Sequence, residues 1–325
     1  MQKKHLYSID MLRGLVALLV CLYHFTEGFL PQEHPLRFIF SRGYLGVEIF
    51  FVISGFVIPY TMYKSNYQFR DAGRFMLKRL ARIEPPYWLS IALIFFIDYL
   101  ASFSIHYRDK VIVFDWKDLF YHILHINDFL DKPWLKGIYW SLAIEIQYYL
   151  LIALIFPLLI FKNYKISIFV LLLFCLGRWL NWEHTVFYFG CHFVIGILLF
   201  NAHIDSIRNK ELLIGLLFAF LLTYWCFDIY HLSAVVGGSI FIYFFQYMIK
   251  PLVYLGKISY SYYLIHIQVG WSLIDGLTHV YPDGNRILFI GFGILGAILG
   301  SALFYWVIEK PSHRLARKLG GNPVN

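Results

Sequence analysis

Ten blocks of roughly twenty apolar residues follow one another along this 325-residue chain. They lie near 7–26, 44–62, 85–103, 139–161, 166–182, 186–202, 212–228, 233–249, 258–280 and 287–308. At about 1.5 Å per residue, each is long enough or nearly long enough to cross the ~30 Å hydrocarbon layer of a bilayer. Charged residues make up 15% of the chain, against ~25% in ordinary soluble domains. The expected fold class is an all-α integral membrane protein, a bundle of about ten transmembrane helices. No stretch is left for a soluble second domain, so 1–325 reads as one transmembrane domain. Residues 104–138 are its longest outer loop and 311–325 its tail.

Lysine and arginine set the orientation. With both termini in the cytoplasm, 18 of the 28 basic residues fall inside, nine outside, and Arg13 lies within a block. The net charge of +8 is then a topology signal, and no nucleic-acid partner is expected. The first block follows a basic MQKK and has no small-residue cleavage site behind it, so it reads as a retained anchor. Cys21, Cys175, Cys191 and Cys226 lie in or beside the blocks without ligand spacing, as packed thiols do.

Several ionisable residues interrupt these blocks. Arg13 and His24 are eleven apart, so they share one face of a helix, with Asp10 near the same face and Gly14 beside it. Ionisable groups at such depth usually face a bundle interior or a wet cavity. In the expected orientation His24, Glu48 of GYLGVEIFFVISGFVI and Glu145 of YWSLAIEIQYYL lie roughly 5, 6 and 9 Å below the outer boundary. A histidine beside a carboxylate is the usual general-base arrangement, so His24, Glu48 and Glu145 are the candidate catalytic residues.

On the inner side, RFMLKRLARIEPPYW sets Arg79 and Arg82 three apart on one helical face, with Lys78 beside them. Guanidinium forks bind phosphate oxygens in pairs, and positive-inside charge is the plainer explanation. In the ninth block, Ser259, Tyr262 and His266 line one face. Gly296 and Gly300 in the last block predict close helix packing. The segment DWKDLFYHILHINDFLDKPW in the outer loop can form an amphipathic interfacial helix. Asp118, His122 and His125 there do not complete a ligand set, and no metal site is expected.

Six segments together, IDMLRGLVALLVCLYHF, GYLGVEIFFVISGFVI, KRLARIEPPYW, YWSLAIEIQYYL, LGKISYSYYLIH and VIEKP, resemble the acyltransferase-3 family of membrane acyltransferases in their expected order. The resemblance covers about 6–315 and implies a ten-helix core. It implies transfer of an acyl group, commonly acetyl, from acyl-CoA to a hydroxyl of a cell-surface glycan or glycolipid. It implicates Arg13 and His24, with Glu145, Arg79 and Arg82 also in motifs, and implies a bacterial inner membrane. Where the family often has Asp, this chain has Glu48, whose carboxylate reaches one methylene further. Some members carry an outer hydrolase-like domain, and this chain is expected to be the standalone form.

On this reading Arg13, Lys78, Arg79 and Arg82 hold the acyl-CoA co-substrate, and His24 takes the proton of the acceptor hydroxyl. Asp10, Ser141, Tyr262 and His266 line the site. An oxyanion donor is needed, with a tyrosine, Ser141 or Trp140 as candidates. No tightly bound cofactor is expected. The rival reading is a proton-coupled transporter or exporter, since buried His, Arg and Glu also make proton relays.

Overall fold

A computed structural model describes residues 7–103, 115–159, 164–180, 182–245 and 247–319. Lys3, Lys4, Arg108, Lys110 and Lys162 of the charge count, residues 104–114 of the outer loop and 320–325 of the tail lie outside the described residues.

The described residues are helical, with no strand among them. In chain order the helices are α1 (Tyr7–Phe29), α2 (Pro35–Phe40), α3 (Gly46–Lys64), α4 (Ala72–Ser102) and α5 (Trp116–Leu124). Then come α6 (Trp140–Leu159), α7 (Tyr164–Leu176), α8 (Gly190–His203), α9 (Asn209–Cys226) and α10 (Ile229–Phe244). The chain closes with α11 (Lys250–Lys257), α12 (Ser259–His266), α13 (Ser272–Val280), α14 (Arg286–Phe304) and α15 (Lys310–Lys318). Each of the ten apolar blocks overlaps a helix. By length and composition, six helical stretches among the described residues can cross a membrane: Tyr7–Phe29, Pro35–Lys64, Phe69–Ser102, Gly137–Leu159, Asn209–Cys226 and Arg286–Lys318. Helix is the expected answer to an apolar solvent, because it satisfies every backbone polar group within one segment.

Three boundaries differ from the sequence expectation. Helix α4 begins at Ala72, well before the apolar block, and runs through Pro85 and Pro86. Lysine and arginine are good helix formers, so a membrane edge need not end a helix. The ninth block is interrupted by a π-helical turn at Ile267–Trp271. The last block continues through a second π turn, Tyr305–Glu309, into α15, so the expected tail starts as helix.

The chain divides into two compact units, and α1, α4 and α6 each contribute to both along their length. The first comprises Met1–Val16, Leu45–Met76 and Ala143–Lys257. Its centre is the crossing of α3 and α8, where the backbones nearly touch. A Cβ at Gly196 would lie 2.1 Å from the Val52 carbonyl oxygen, and one at Gly55 would lie 2.2 Å from that of Phe193. Small residues let helices pack this closely, which matters in lipid because burial of apolar surface no longer drives association. Tyr148 of α6 stacks on Phe193 beside the crossing, with ring centroids 4.1 Å apart.

The second unit comprises Ala17–Tyr44, Leu77–Leu142 and Ile258–Asn325. Here α14 packs along α12, the π turn and α13. Gly296 fits the close-packing expectation, since a Cβ there would lie 2.9 Å from Leu273 Cδ2. The start of α12 is tied twice. The Tyr260 hydroxyl donates to the Ile83 carbonyl of α4 at 2.9 Å. The backbone N–H and hydroxyl of Ser261 both donate to Glu309, a carboxylate placed where the helix dipole favours it. Cys21, Cys175 and Cys191 are buried free thiols.

Candidate active site

In the second unit, His24 comes from near the C-terminal end of α1 and His266 from the last turn of α12, and their rings lie side by side. The centroids are 5.4 Å apart, with planes inclined by 34°. His24 is half-buried, whereas His266 is fully buried at 1% exposure. Tyr23 tilts against His24, and Phe25 packs on His266. The Nδ1–H of His266 donates to the carbonyls of Tyr263 at 2.9 Å and Tyr262 at 3.1 Å, one turn earlier in the same helix. That leaves Nε2, at the far end of the ring, as an acceptor, and it has no hydrogen-bond partner in the structure.

Just beyond His266, the π turn carries Gln268 into the same buried layer. Its amide donates to the Tyr139 hydroxyl at 2.9 Å, which in turn hydrogen-bonds Ser90 at 2.9 Å. π turns inside helices are frequent at functional sites. Tyr262 is buried. Ser141 is also buried, but its hydroxyl and that of Tyr263 bond each other at 2.7 Å and both approach the Ile138 carbonyl. Two hydroxyl protons serve two local acceptors, so Ser141 has none left for an oxyanion.

Lys78, Arg79 and Arg82 are half-buried on α4. Arg82 directly precedes Ile83, the residue that Tyr260 grips. From Tyr260 to His266 is six residues of one helix, about 9 Å. The basic turn and the histidine pair are thus linked through α12.

The other expected residues belong to the first unit. Arg13 is half-buried on α1, as is Asp10, whose carbonyl sits against Gly256 of α11. Glu145 accepts hydrogen bonds from Ser54 at 3.3 Å and from Tyr149. Glu48 is buried, and both its oxygens are held by histidines: His192 Nε2–H donates to one at 3.0 Å, and His231 Nδ1–H to the other. The charge stands among apolar helices because these donors replace water. Asp228 caps α10 through the N–H groups of Tyr230 and His231, fixing the turn that presents His231.

Sequence reasoning did not find His192 and His231, nor the Glu84–His125 pair of the second unit, where the histidine Nε2–H donates at 3.1 Å. A histidine within the apolar run CHFVIGILLF was a usable signal for His192, but nothing in the linear sequence pairs it with Glu48. In the outer loop, α5 forms as expected of an amphipathic segment. His122 there serves structure: its Nδ1–H donates to the Asp118 carbonyl at 2.7 Å and its Nε2 accepts the Leu135 N–H at 2.9 Å. Burial lowers the pKa of His122 from the usual imidazole value.

Together these features define a helical membrane protein with a histidine pair, a basic helical turn and a buried carboxylate held by two histidines. Residues 6–306 match the model of the acyltransferase domain family, and the chain belongs to that family, acyltransferase-3. The chain is 27% identical over 368 aligned positions to O-acetyltransferase OatA of Staphylococcus aureus strain NCTC 8325 / PS 47, and likewise to OatA of strain COL. In each case the match takes in 95% of this chain and 57% of the relative, so the chain spans little more than half the length of these relatives. No solved structure matches the chain significantly. Family and apolar helices together make it an integral membrane protein of the acyltransferase class.

Proposed function

We propose that this protein is a membrane O-acyltransferase that moves an acetyl group from acetyl-CoA to a hydroxyl of a cell-surface glycan or glycolipid. The observation that carries the reading is the half-buried His24 in an apolar helix of an acyltransferase-3 chain, with an unoccupied acceptor on His266 beside it. The names of the OatA relatives support acetyl as the group and oxygen as its destination.

The donor enters from the cytoplasm. Arg79 and Arg82, with Lys78, hold its phosphates. Its pantetheine arm carries the thioester to His24. His24 removes the proton of the acceptor hydroxyl, and that oxygen attacks the thioester carbonyl. As the tetrahedral intermediate collapses, the carbon–sulfur bond breaks and the protonated His24 returns its proton to the thiolate. With Ser141 committed to local hydrogen bonds, a tyrosine hydroxyl or Trp140 is the better oxyanion donor. Glu48 anchors His192 and His231. The proposed topology has ten crossings and both termini inside, in a bacterial inner membrane.

The test is transfer of radiolabelled acetyl from acetyl-CoA by membranes containing the chain, beside a His24→Ala form, with glycans and lipids separated afterwards. Label reaching an acceptor only with His24 intact supports the reading. Equal transfer without His24 removes it as the base. The transporter reading draws on the buried Glu48 cluster, and solute uptake without label transfer is the outcome that favours it.

A further inference from the structure

His266 has one nitrogen committed to its own helix and one left bare. Its Nδ1–H is turned back onto the Tyr262 and Tyr263 carbonyls, so its Nε2 can only accept. A buried acceptor without a donor is costly, and such groups in native structures usually have a task. The ring beside it is His24. The fold also invests in holding α12 still: Tyr260 is bonded to α4 and Ser261 to Glu309. Among the described titratable groups, Tyr23 packs on His24 and Tyr262 and Tyr263 on His266. None of these brings a carboxylate to the two rings.

We propose that His266 is a positioning residue: its Nε2 lone pair receives the N–H of His24 and holds the His24 imidazolium in place between the two proton transfers. This rests on the acyl-transfer reading above. His24 takes the acceptor proton on one nitrogen while its other N–H points at His266. His266 keeps its own proton on Nδ1 throughout, so none passes to it. After collapse His24 delivers its proton to the CoA thiolate, and both rings are neutral again. A neutral imidazole thereby does the orienting that a carboxylate does in other histidine-based sites.

The experiment compares acetyl transfer by the full chain in membranes for wild type, His24→Ala, His266→Leu, His266→Gln and His266→Asn. Glutamine can set an oxygen where Nε2 lies, whereas asparagine sets one nearer Nδ1. His266→Leu is expected to lower kcat by about 10–100-fold, as outer-shell partners of a working histidine do. KM for acetyl-CoA should stay unchanged, and the acid limb of the kcat–pH profile should move to lower pH. His266→Gln should recover most of kcat and the original limb, and His266→Asn should not. If the leucine form does not fold, the Gln/Asn contrast carries the test. Equal rates for Gln and Asn, or a loss of kcat with the acid limb unmoved, would overturn the assignment. Inactivity of His24→Ala alone, with all His266 forms active, leaves the base and removes its partner. A wild-type chain that transfers no label removes both.

Discussion

Glu48 shows how one side chain changes meaning when its neighbours are known. From the sequence it is a buried carboxylate at a catalytic depth, while in the fold it binds α3 to α8 and α10 through His192 and His231. Glu48→Ala removes the acceptor of the buried His192 Nε2–H and of the half-buried His231 Nδ1–H, and a buried donor left unsatisfied costs about 1–3 kcal/mol. The expected result is a clear drop in the melting temperature of purified protein, larger than for Glu145→Ala. Equal melting of the two forms would argue against the clamp. His122 makes a pH prediction at the same scale. It accepts the Leu135 N–H, so a proton on Nε2 would set donor against donor. Its folded pKa is lowered, so the unfolded loop binds more protons. Its contribution is intact above the usual imidazole pKa of about 6.5 and is lost as pH falls below it. Amide exchange in 115–136 should speed up relative to its intrinsic rate between pH 7.5 and 5.5. In His122→Gln, which accepts without titrating, that extra acceleration should be absent.

At the scale of helices, the α3–α8 crossing is the most sensitive contact. A side chain at Gly196 meets a backbone carbonyl at 2.1 Å, which cannot rotate away. Gly196→Val should therefore sharply reduce the yield of folded protein. Gly237 in α10 has nothing within 4 Å of an added Cβ, so Gly237→Ala should be neutral or gain up to about 1 kcal/mol of helix propensity. Melting curves for both substitutions check the contrast. Helix positions were legible because apolar runs are local. The early start of α4 and the π turns at Ile267–Trp271 and Tyr305–Glu309 were not. They respond to packing: each π turn carries a tertiary hydrogen bond, Gln268 to Tyr139 and Glu309 to Ser261 of α12.

For the molecule as a whole, the proposal joins a basic inner turn to a histidine pair through α12. Arg82→Ala should raise KM for acetyl-CoA by about 10–100-fold, the equivalent of one charge-assisted hydrogen bond. Its kcat should change little, because it touches the donor far from the reacting bond. A loss of kcat at constant KM would detach the basic turn from donor binding. Reporter fusions at the two ends should both report the cytoplasm if positive-inside charge governs the ten-crossing topology. The sequence by itself determined the helical membrane class, because block length and hydrophobicity are local properties that water and lipid read without tertiary contacts. It also placed Arg13 and His24 on one helical face, since 100° per residue is geometry within a single helix. Only the tertiary structure decided the partners: His24 beside His266, Glu48 between His192 and His231, Glu84 with His125, Ser141 spent on Tyr263. Those pairings join residues far apart in the chain, and they depend on which helix faces meet.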